Sequence, residues 1–316
     1  MKERSKLKLN FLQNSGLTGY DLHPIPADAS FRTYDRVKIK DKNLILMNSP
    51  PEHYSLKPFI EIAELLRKHD LPAPEIFHID SDNGFMLLED FGGTSVKDFV
   101  LQSPHLQRDI YKKIIELLVD IQKVEAMHLA HHTTEVMLNG LEVFADWYVP
   151  FKTGTEMDEG AKKEYLQQWY NILNKLPNEG RVLSLRDFHI ENLMHRGDGI
   201  GLLDFQDATL GSPAYDLVSL LEDARHDVPL ELAQEMIDYY LSLSLGLDRE
   251  EFMQAYGILG AQRNSRILGY FARKAKRDGA TKYLEFIPRT LKYLERDLSH
   301  PVFASFGLDS LHSGLV

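Results

Sequence analysis

Alternation of polar and apolar side chains marks the first strands of the chain, which follow a polar stretch that suits a helix. Residues 36–40 alternate, residues 41–43 carry turn-forming side chains, and residues 44–47 are apolar. Because strands have a period of two residues and short turns join antiparallel strands, this pattern predicts a β-hairpin. In residues 58–69 the apolar positions recur at helical spacing after Pro58, and we predict a helix there.

A second hairpin and a hinge complete the predicted N-terminal region. Residues 75–79 and 85–88 are largely apolar runs that flank an Asp-Asn-Gly sequence, which favours a tight hairpin connection. The paired glycines that follow, Gly92 and Gly93, permit backbone conformations that larger residues avoid. We therefore predict a hinge at residues 89–93.

The apolar period becomes helical in the rest of the chain. A first apolar stripe extends from Leu106 to Ile121, behind a Ser-Pro start signal at residues 103–104. Two short apolar runs, residues 182–185 and 200–203, interrupt the helices and predict strands. Further helices are predicted at residues 215–225, 230–243, 250–276 and 283–297.

The order of these elements predicts the fold class. Strands gather first and helices follow, which favours an α+β architecture, since regular alternation of the two would indicate a parallel sheet. We expect a bilobal fold. A small antiparallel-sheet lobe would occupy residues 1–92 and end in the hinge, and a larger helical lobe would occupy residues 93–316.

Bulk composition narrows the classes of partner. The 316-residue chain has a formal net charge of −11, whereas nucleic acids and anionic membranes favour basic surfaces; we expect neither as a partner. Cysteine is absent, so disulfides and thiolate chemistry are excluded. The N-terminal sequence lacks the apolar core of a signal peptide, and no apolar run is long enough to span a membrane. We expect a cytoplasmic protein that is a monomer or weak dimer.

Three polar residues form the chemical centre of the sequence. Asp187 and Asn192 lie five positions apart after one predicted strand, and Asp204 follows the next strand. In phosphoryl transfer one carboxylate orients the attacking hydroxyl and accepts its proton, while other side-chain oxygens bind Mg²⁺, which prefers hard oxygen ligands. We therefore predict Asp187 as the catalytic base and the other two residues as magnesium ligands.

The same residues carry a family resemblance. The order Asp-x-x-x-x-Asn and then Asp-Phe is similar to the catalytic signature of protein-kinase-like folds. Its surroundings, including the segment from Gly211 to Leu217, resemble the aminoglycoside phosphotransferase and small-molecule kinase superfamily. The resemblance implies a protein-kinase-like fold that binds ATP between its lobes, with adenine at the backbone of Glu89 to Phe91. It also implies that Asp216 braces the catalytic loop.

Longer motifs are similar to one branch of that superfamily, the bacterial kinases of cell-wall amino sugars. They are spread over most of the chain and comprise Asp28-Ala-Ser-Phe-Arg-Thr-Tyr34, Leu46-Met-Asn-Ser-Pro-Pro-Glu52, LRDFHIENLM, LLDFQDA, SPAYDLVSLLEDAR and Gly260-Ala-Gln-Arg-Asn264. The resemblance implies phosphorylation of the anomeric hydroxyl of N-acetylmuramic acid, N-acetylglucosamine or both, in the recycling of peptidoglycan.

Several positions depart from the protein-kinase pattern. Leu185 stands where a histidine is usual, two residues before the catalytic aspartate, and Gln206 replaces the glycine of Asp-Phe-Gly. The third strand offers Met47 at the position of the lysine that usually contacts nucleotide phosphates. We predict that Arg32 supplies this contact, because the planar donors of arginine suit phosphate oxygens, and that Ser30, two residues earlier, also lies at the nucleotide phosphates.

Polar and aromatic residues of the predicted helical lobe are hypotheses for binding the acceptor. They are Asp146, Trp147, Asp223, Arg225 and Arg263. An aromatic face and a carboxylate suit a sugar, and arginine suits an acetamido or lactyl group. Core packing of the aromatic residues and surface ion pairs of the charged ones are the alternative interpretations.

The sequence as a whole predicts an ATP- and Mg²⁺-dependent kinase of a sugar hydroxyl. Three alternatives stay open: a kinase of another metabolite such as an aminoglycoside, choline or homoserine; a protein kinase; and a nucleotide-binding regulator without turnover. The lack of an evident activation segment after Asp204 disfavours the protein kinase, while Met47 and Leu185 motivate the regulator.

Overall fold

A computed structural model describes residues 2–26, 31–40, 42–177, 180–197, 199–244 and 246–304. The helices are α1 Lys2–Asn14, α2 Lys57–Lys68, α3 Val96–Gln102, α4 Gln107–Gln122, α5 Thr134–Val143, α6 Val149–Thr153, α7 Glu159–Leu173, α8 Ala214–Leu221, α9 Leu230–Leu243, α10 Arg249–Asp278 and α11 Ile287–Leu298. The strands are β1 Asp21–Ile25, β2 Thr33–Ile39, β3 Lys42–Asn48, β4 Ile76–Asp80, β5 Phe85–Glu89, β6 Val182–Ser184, β7 Leu193–Arg196, β8 Gly199–Leu202 and β9 Thr209–Gly211. This composition confirms the predicted α+β class.

The described residues divide into two compact units. Unit 1 runs from α1 through Ser103 and includes Glu191–Asp207; unit 2 comprises Pro104–Ile190 and the described residues from Ala208 onward. We had expected the division at residue 92, yet α3 and the β7–β8 hairpin belong to unit 1. Backbone hydrogen bonds explain this, since the N–H of His195 donates to the carbonyl of Thr94 at 3.0 Å.

Unit 1 is built on an antiparallel sheet of five strands in the order β1-β2-β3-β5-β4. Successive side chains of a strand point to opposite faces, and the two faces differ here. On one face Val37, Leu44 and Leu46 are buried against Phe11 of α1. On the other face Tyr34, Met47 and Met86 are direct cross-strand neighbours.

The two predicted hairpins are confirmed as β2–β3 and β4–β5. The sequence analysis missed β1, which pairs with β2 at the edge of the sheet. This strand contains Pro24, and proline within a run argues against a strand except at an edge, where its missing N–H is tolerated.

Unit 2 is mainly helical and is organised around the 30-residue helix α10. The side chain of Asp248 caps its N-terminus, and Gly279 ends it in the left-handed conformation with φ of 69°. Helices α5, α8 and α11 pack against it. Two short strands, β6 and β9, pair antiparallel, and β6 directly precedes the loop that carries Asp187. Among the described residues, no helix is both long and apolar enough to cross a membrane.

Helix α8 is shorter than predicted. It ends at Leu221, with Glu222 as its C-terminal cap, so residues 223–225 lie outside the helix that we predicted to contain them. The N–H of Arg225 instead donates to the Asp223 carboxylate at 2.9 Å. Such local bonds from an aspartate side chain compete with helical backbone bonds and favour a turn.

Candidate active site

The loop that follows β6 is held by one buried carboxylate, that of Asp216 in α8. Its Oδ1 accepts hydrogen bonds from the hydroxyl of Ser184 at 3.0 Å and from the N–H of Arg186 at 2.8 Å. Its Oδ2 accepts one from the N–H of Leu185 at 2.7 Å. The hydroxyl of Ser219 also donates to the carbonyl of Arg186 at 3.0 Å. Two side chains of one helix thus fix the residues that precede Asp187.

Burial has a measurable consequence for Asp216. It raises the pKa of this carboxyl from 3.8 to about 6, against the lowering effect of the hydrogen bonds from Leu185, Arg186 and Ser184. The group is therefore ionised at pH 7. In that form it is an acceptor only and can satisfy all three donors at once.

The backbone next to Asp187 adopts an unusual conformation. Arg186 has a φ of +70°, in the left-handed region that residues other than glycine seldom adopt and that is concentrated at functional sites. The N–H of Asp187 donates to the carbonyl of Leu185 at 2.9 Å, and the N–H of His189 donates to the carbonyl of Asp187 at 3.1 Å. The chain therefore turns tightly on both sides of the predicted base.

The Asp187 carboxyl is half-buried and stays ionised. Burial alone would raise its pKa, but the surrounding positive charge outweighs that effect and the pKa is lowered. The groups responsible are, in order of effect, Arg266, His189, Arg263 and Arg186. Sequence reasoning did not identify Arg266, which lies in α10 and comes close only through tertiary packing.

Three of the five acceptor hypotheses lie around His189. One terminal nitrogen of Arg225 is 3.5 Å from the Nε2 of His189, and the charges of Asp223, Arg225 and Arg263 all act on the imidazole. Burial is the largest effect and lowers the pKa of His189. The structure thus gathers Asp223, Arg225 and Arg263 near Asp187, within unit 2.

The other two acceptor hypotheses, Asp146 and Trp147, lie on a single π-helical turn at Phe144–Tyr148. The Asp146 carboxylate accepts a hydrogen bond from the ammonium group of Lys162 at 2.6 Å and is about half exposed. This bond raises the pKa of Lys162. Asp146 is therefore engaged in an exposed ion pair, while Trp147 is half-buried.

The two predicted magnesium ligands are close to each other in unit 1. The N–H of Leu203 donates to the carbonyl of Asn192 at 2.9 Å, which brings Asn192 next to the residue that precedes Asp204. Asp204 is exposed and has a φ of +57°, again in the left-handed region. Gln206, which stands in the place of a glycine, donates to its Oδ1 at 2.8 Å. One carboxylate and one amide oxygen fit Mg²⁺, which completes its shell with water and phosphate oxygens.

Arg32, the predicted phosphate contact, lies just before β2. Its Nε is 3.4 Å from the hydroxyl of Ser49, and its guanidinium carbon is 4.9 Å from the centre of the Tyr54 ring. Stacking and hydrogen bonding of this kind restrict the side chain. Ser30, the other residue predicted near the phosphates, lies outside the described residues.

Tyr34 is a neighbour of this group that the sequence analysis missed. Its hydroxyl is hydrogen-bonded to Arg32, and it lies close enough to Asp204 for that carboxylate to raise its pKa. Burial is the larger cause, and together they raise the pKa of Tyr34 to about 12. Across the sheet Tyr34 pairs with the buried Met47. The methionine at the position of the usual lysine thus lies beside a phenol that stays protonated and can donate a hydrogen bond.

Ion pairs rigidify the predicted hinge. Arg36 forms a two-point contact with Asp90, with nitrogen–oxygen distances of 2.6 and 3.1 Å, and also donates to the carbonyl of Gly92 at 2.8 Å. Arg196 donates to the Glu89 carboxylate at 2.7 Å. Two-point arginine–carboxylate contacts fix orientation as well as distance, so the segment has a defined geometry.

Phe91 of the hinge is buried between two partners. The guanidinium carbon of Arg196 lies 4.2 Å from the centre of its ring. On Gly201 an added Cβ would lie 2.4 Å from the Phe91 ring, so only glycine leaves room for the ring in this position. The backbone N–H of Glu89 is already engaged, because it donates a hydrogen bond to the carbonyl of Glu75 at 2.8 Å.

Sequence comparison identifies relatives along most of the chain. Residues 21–255 match the phosphotransferase enzyme family. The N-acetylmuramate/N-acetylglucosamine kinase of Pseudomonas aeruginosa is 33% identical over 308 residues, which cover 93% of this chain and 89% of that protein. The N-acetylmuramate/N-acetylglucosamine kinase of Neisseria meningitidis is 33% identical over 307 residues, which cover 94% of this chain and 91% of that protein.

Structure comparison identifies kinases with the same fold. The choline kinase LicA from Streptococcus pneumoniae superposes with a TM-score of 0.66 at 14% identity, covering 92% of this chain and 99% of that one. The ADP-bound aminoglycoside phosphotransferase APH(2'')-Ib superposes with a TM-score of 0.64 at 14% identity, covering 92% and 98%. At this identity the likeness concerns the fold alone.

Proposed function

The chain belongs to the phosphotransferase enzyme family and is a small-molecule kinase, and from this we propose a specific reaction. The protein transfers the γ-phosphoryl group of ATP to the anomeric hydroxyl of N-acetylmuramic acid and N-acetylglucosamine. The observation that carries the proposal is Asp187, a half-buried carboxylate that positive neighbours keep ionised on a loop that Asp216 braces. The names of the two relatives support the choice of sugar.

In the proposed reaction Asp187 orients the acceptor hydroxyl and accepts its proton as the new oxygen–phosphorus bond forms. The bond between the γ-phosphorus and the bridging oxygen breaks, and ADP leaves. Phosphoryl transfer needs little covalent assistance from protein, so positioning and charge neutralisation supply most of the catalysis. The braced loop supports the first requirement, and the charges of Arg186 and Arg266 near Asp187 support the second.

The nucleotide is the second substrate of this proposal. The carbonyl of Glu89 and the N–H of Phe91 would form hydrogen bonds with the edge of the adenine ring. The N–H of Glu89 is not needed for this contact, since it already donates to the carbonyl of Glu75. Arg32 would contact the phosphates. Asn192 and Asp204 would hold Mg²⁺, which when bound neutralises phosphate charge. We propose the cytoplasm as the compartment, since the reaction requires ATP, and peptidoglycan recycling as the process served.

An acceptor panel tests the proposal. ADP release would be followed with N-acetylmuramic acid, N-acetylglucosamine, choline, homoserine and an aminoglycoside, with and without Mg²⁺. We expect turnover with the two amino sugars only, dependent on Mg²⁺. Asp187→Asn should lower kcat by roughly 1,000-fold, within the range for loss of a general base, while nucleotide binding measured by calorimetry persists. Turnover confined to choline or homoserine, or full activity of Asp187→Asn, would contradict the proposal.

A further inference from the structure

Positive charge is concentrated around Asp187 in a protein whose overall charge is strongly negative. The arginines that act on the pKa of Asp187 or contact His189 are Arg186, Arg225, Arg263 and Arg266. The carboxylates among them are Asp187, Asp216 and Asp223. Four arginines thus face three carboxylates, so the group carries an excess of positive charge, although the chain has a net charge of −11.

Arg263, in the middle of α10, is buried without sufficient partners. Its side chain is only 2% exposed, and its Nε and Nη1 have no hydrogen-bond partner among the described residues. Asp223, at 1% exposed, similarly leaves its Oδ2 without a partner in the described part of the chain. Buried polar groups of this kind cost free energy unless a partner is supplied.

A purely structural role does not explain this arrangement. The same unit contains a second arginine–carboxylate pair, in which Arg296 donates to the fully buried Glu222 at 2.7 Å. Within this unit, a buried carboxylate can therefore form a direct hydrogen bond with an arginine that stabilises the fold. Arg263 and Asp223 are near enough for their charges to interact, yet they form no such bond.

We propose that Arg263 binds the carboxylate of an acidic acceptor, and that Asp223 accepts a hydrogen bond from a hydroxyl or N–H of the same molecule. The inference rests on the proposed function and specifies its acceptor. N-acetylmuramic acid differs from N-acetylglucosamine by a lactyl ether, which carries a carboxylate. Arginine presents paired donors that match a carboxylate. Arg263 is then the residue that favours the muramic sugar over the neutral one.

The two sugars provide the test. The ratio kcat/KM would be measured for both with the wild-type protein and with Arg263→Gln. We expect the value for N-acetylmuramic acid to fall on the order of 100-fold, as for loss of one partner of a buried charged pair. The value for N-acetylglucosamine should fall much less, because Arg263 has no carboxylate to bind on the neutral sugar, although it also acts on the pKa of Asp187. An equal fall for both sugars would overturn the inference and would indicate contact with the transferred phosphoryl group instead.

A neutral analogue makes the test independent of the variant. With the wild-type protein, the methyl ester of N-acetylmuramic acid should be a far poorer acceptor than the free acid, whereas Arg263→Gln should accept both about equally. Equal wild-type values for acid and ester would overturn the inference, even if the variant does not fold. Lys276→Gln, an exposed change in the same helix, is the matched control and should retain the wild-type preference. Wild-type protein that phosphorylates neither sugar would overturn the proposed function itself, and the inference with it.

Discussion

Replacement of Asp216 by Asn separates catalytic geometry from stability. The change leaves one acceptor oxygen for the donors of Ser184 and Arg186, but it sets an amide N–H₂ against the N–H of Leu185, which now bonds to the Asp216 carboxylate at 2.7 Å. Two donors then face each other, so the loop before Asp187 must shift. A displacement of about 1 Å at a catalytic group costs on the order of 100-fold in rate, and we expect kcat to fall by roughly 10- to 100-fold.

The effect of this change on stability should depend on pH. The pKa of Asp216 rises from 3.8 to about 6 on folding, so the folded state binds the proton more tightly than the unfolded state. This contribution to stability is fully present below pH 3.8 and is lost as the pH rises through 6. Linkage over these values gives a loss on the order of 1 kcal/mol between pH 5 and pH 8. The uncharged Asn side chain has no such loss.

The free energy of unfolding of both proteins would be measured by urea denaturation at pH 5 and pH 8, and kcat by ADP release at pH 7.5. Between the two pH values the stability of Asp216→Asn should improve relative to wild type by an amount on the order of 1 kcal/mol. Ser184→Ala keeps the carboxylate but removes a hydrogen bond that lowers its pKa, so it should lose at least as much stability as wild type between the two pH values and should lose less activity than Asp216→Asn. Wild-type kcat in Asp216→Asn, or a stability difference that is the same at both pH values, would refute the reasoning.

Two glycines yield further predictions. Gly201→Ala would place a Cβ 2.4 Å from the Phe91 ring. Steady-state kinetics should therefore show a several-fold higher KM for ATP, with little change in the KM of the acceptor. An unchanged KM for ATP would argue against the hinge as the adenine site. Gly269→Ala would place a Cβ 2.4 Å from the carbonyl oxygen of Val143, and because backbone cannot yield easily, urea denaturation should show a loss of about 2 kcal/mol or more. Gly257→Ala, whose nearest contact is a side chain at 3.3 Å, is its control and should cost clearly less.

Local patterns were sufficient to predict most of the fold. Strands β2, β3, β4 and β5 and the long helix α10 follow from residue periods and turn sequences that act over a few positions. The missed strand β7 has the polar pair His195 and Arg196 at its end, so no apolar run marks it. It exists because it pairs with β8, a contact that sequence periodicity does not report.

In the candidate site, too, the residues of a short motif could be predicted from the sequence, whereas residues brought in by tertiary packing could not. The spacing of Asp187, Asn192 and Asp204 is visible in a short stretch of sequence, and the family resemblance drawn from it is confirmed; the roles of these residues stay predictions. Arg266 lies far along the chain in α10 and reaches Asp187 only through the packing of unit 2. Tyr34 was not singled out because a tyrosine in a strand ordinarily indicates packing.

The position of phosphate in the product tests the central claim most directly. The protein, ATP and Mg²⁺ would be incubated with N-acetylmuramic acid, and the product analysed by ³¹P and ¹H NMR. We predict a sugar 1-phosphate, identified by coupling of the phosphorus to the anomeric proton, and no product with Asp187→Asn. Phosphate on another hydroxyl, or ATP consumption without any sugar phosphate, would contradict the account.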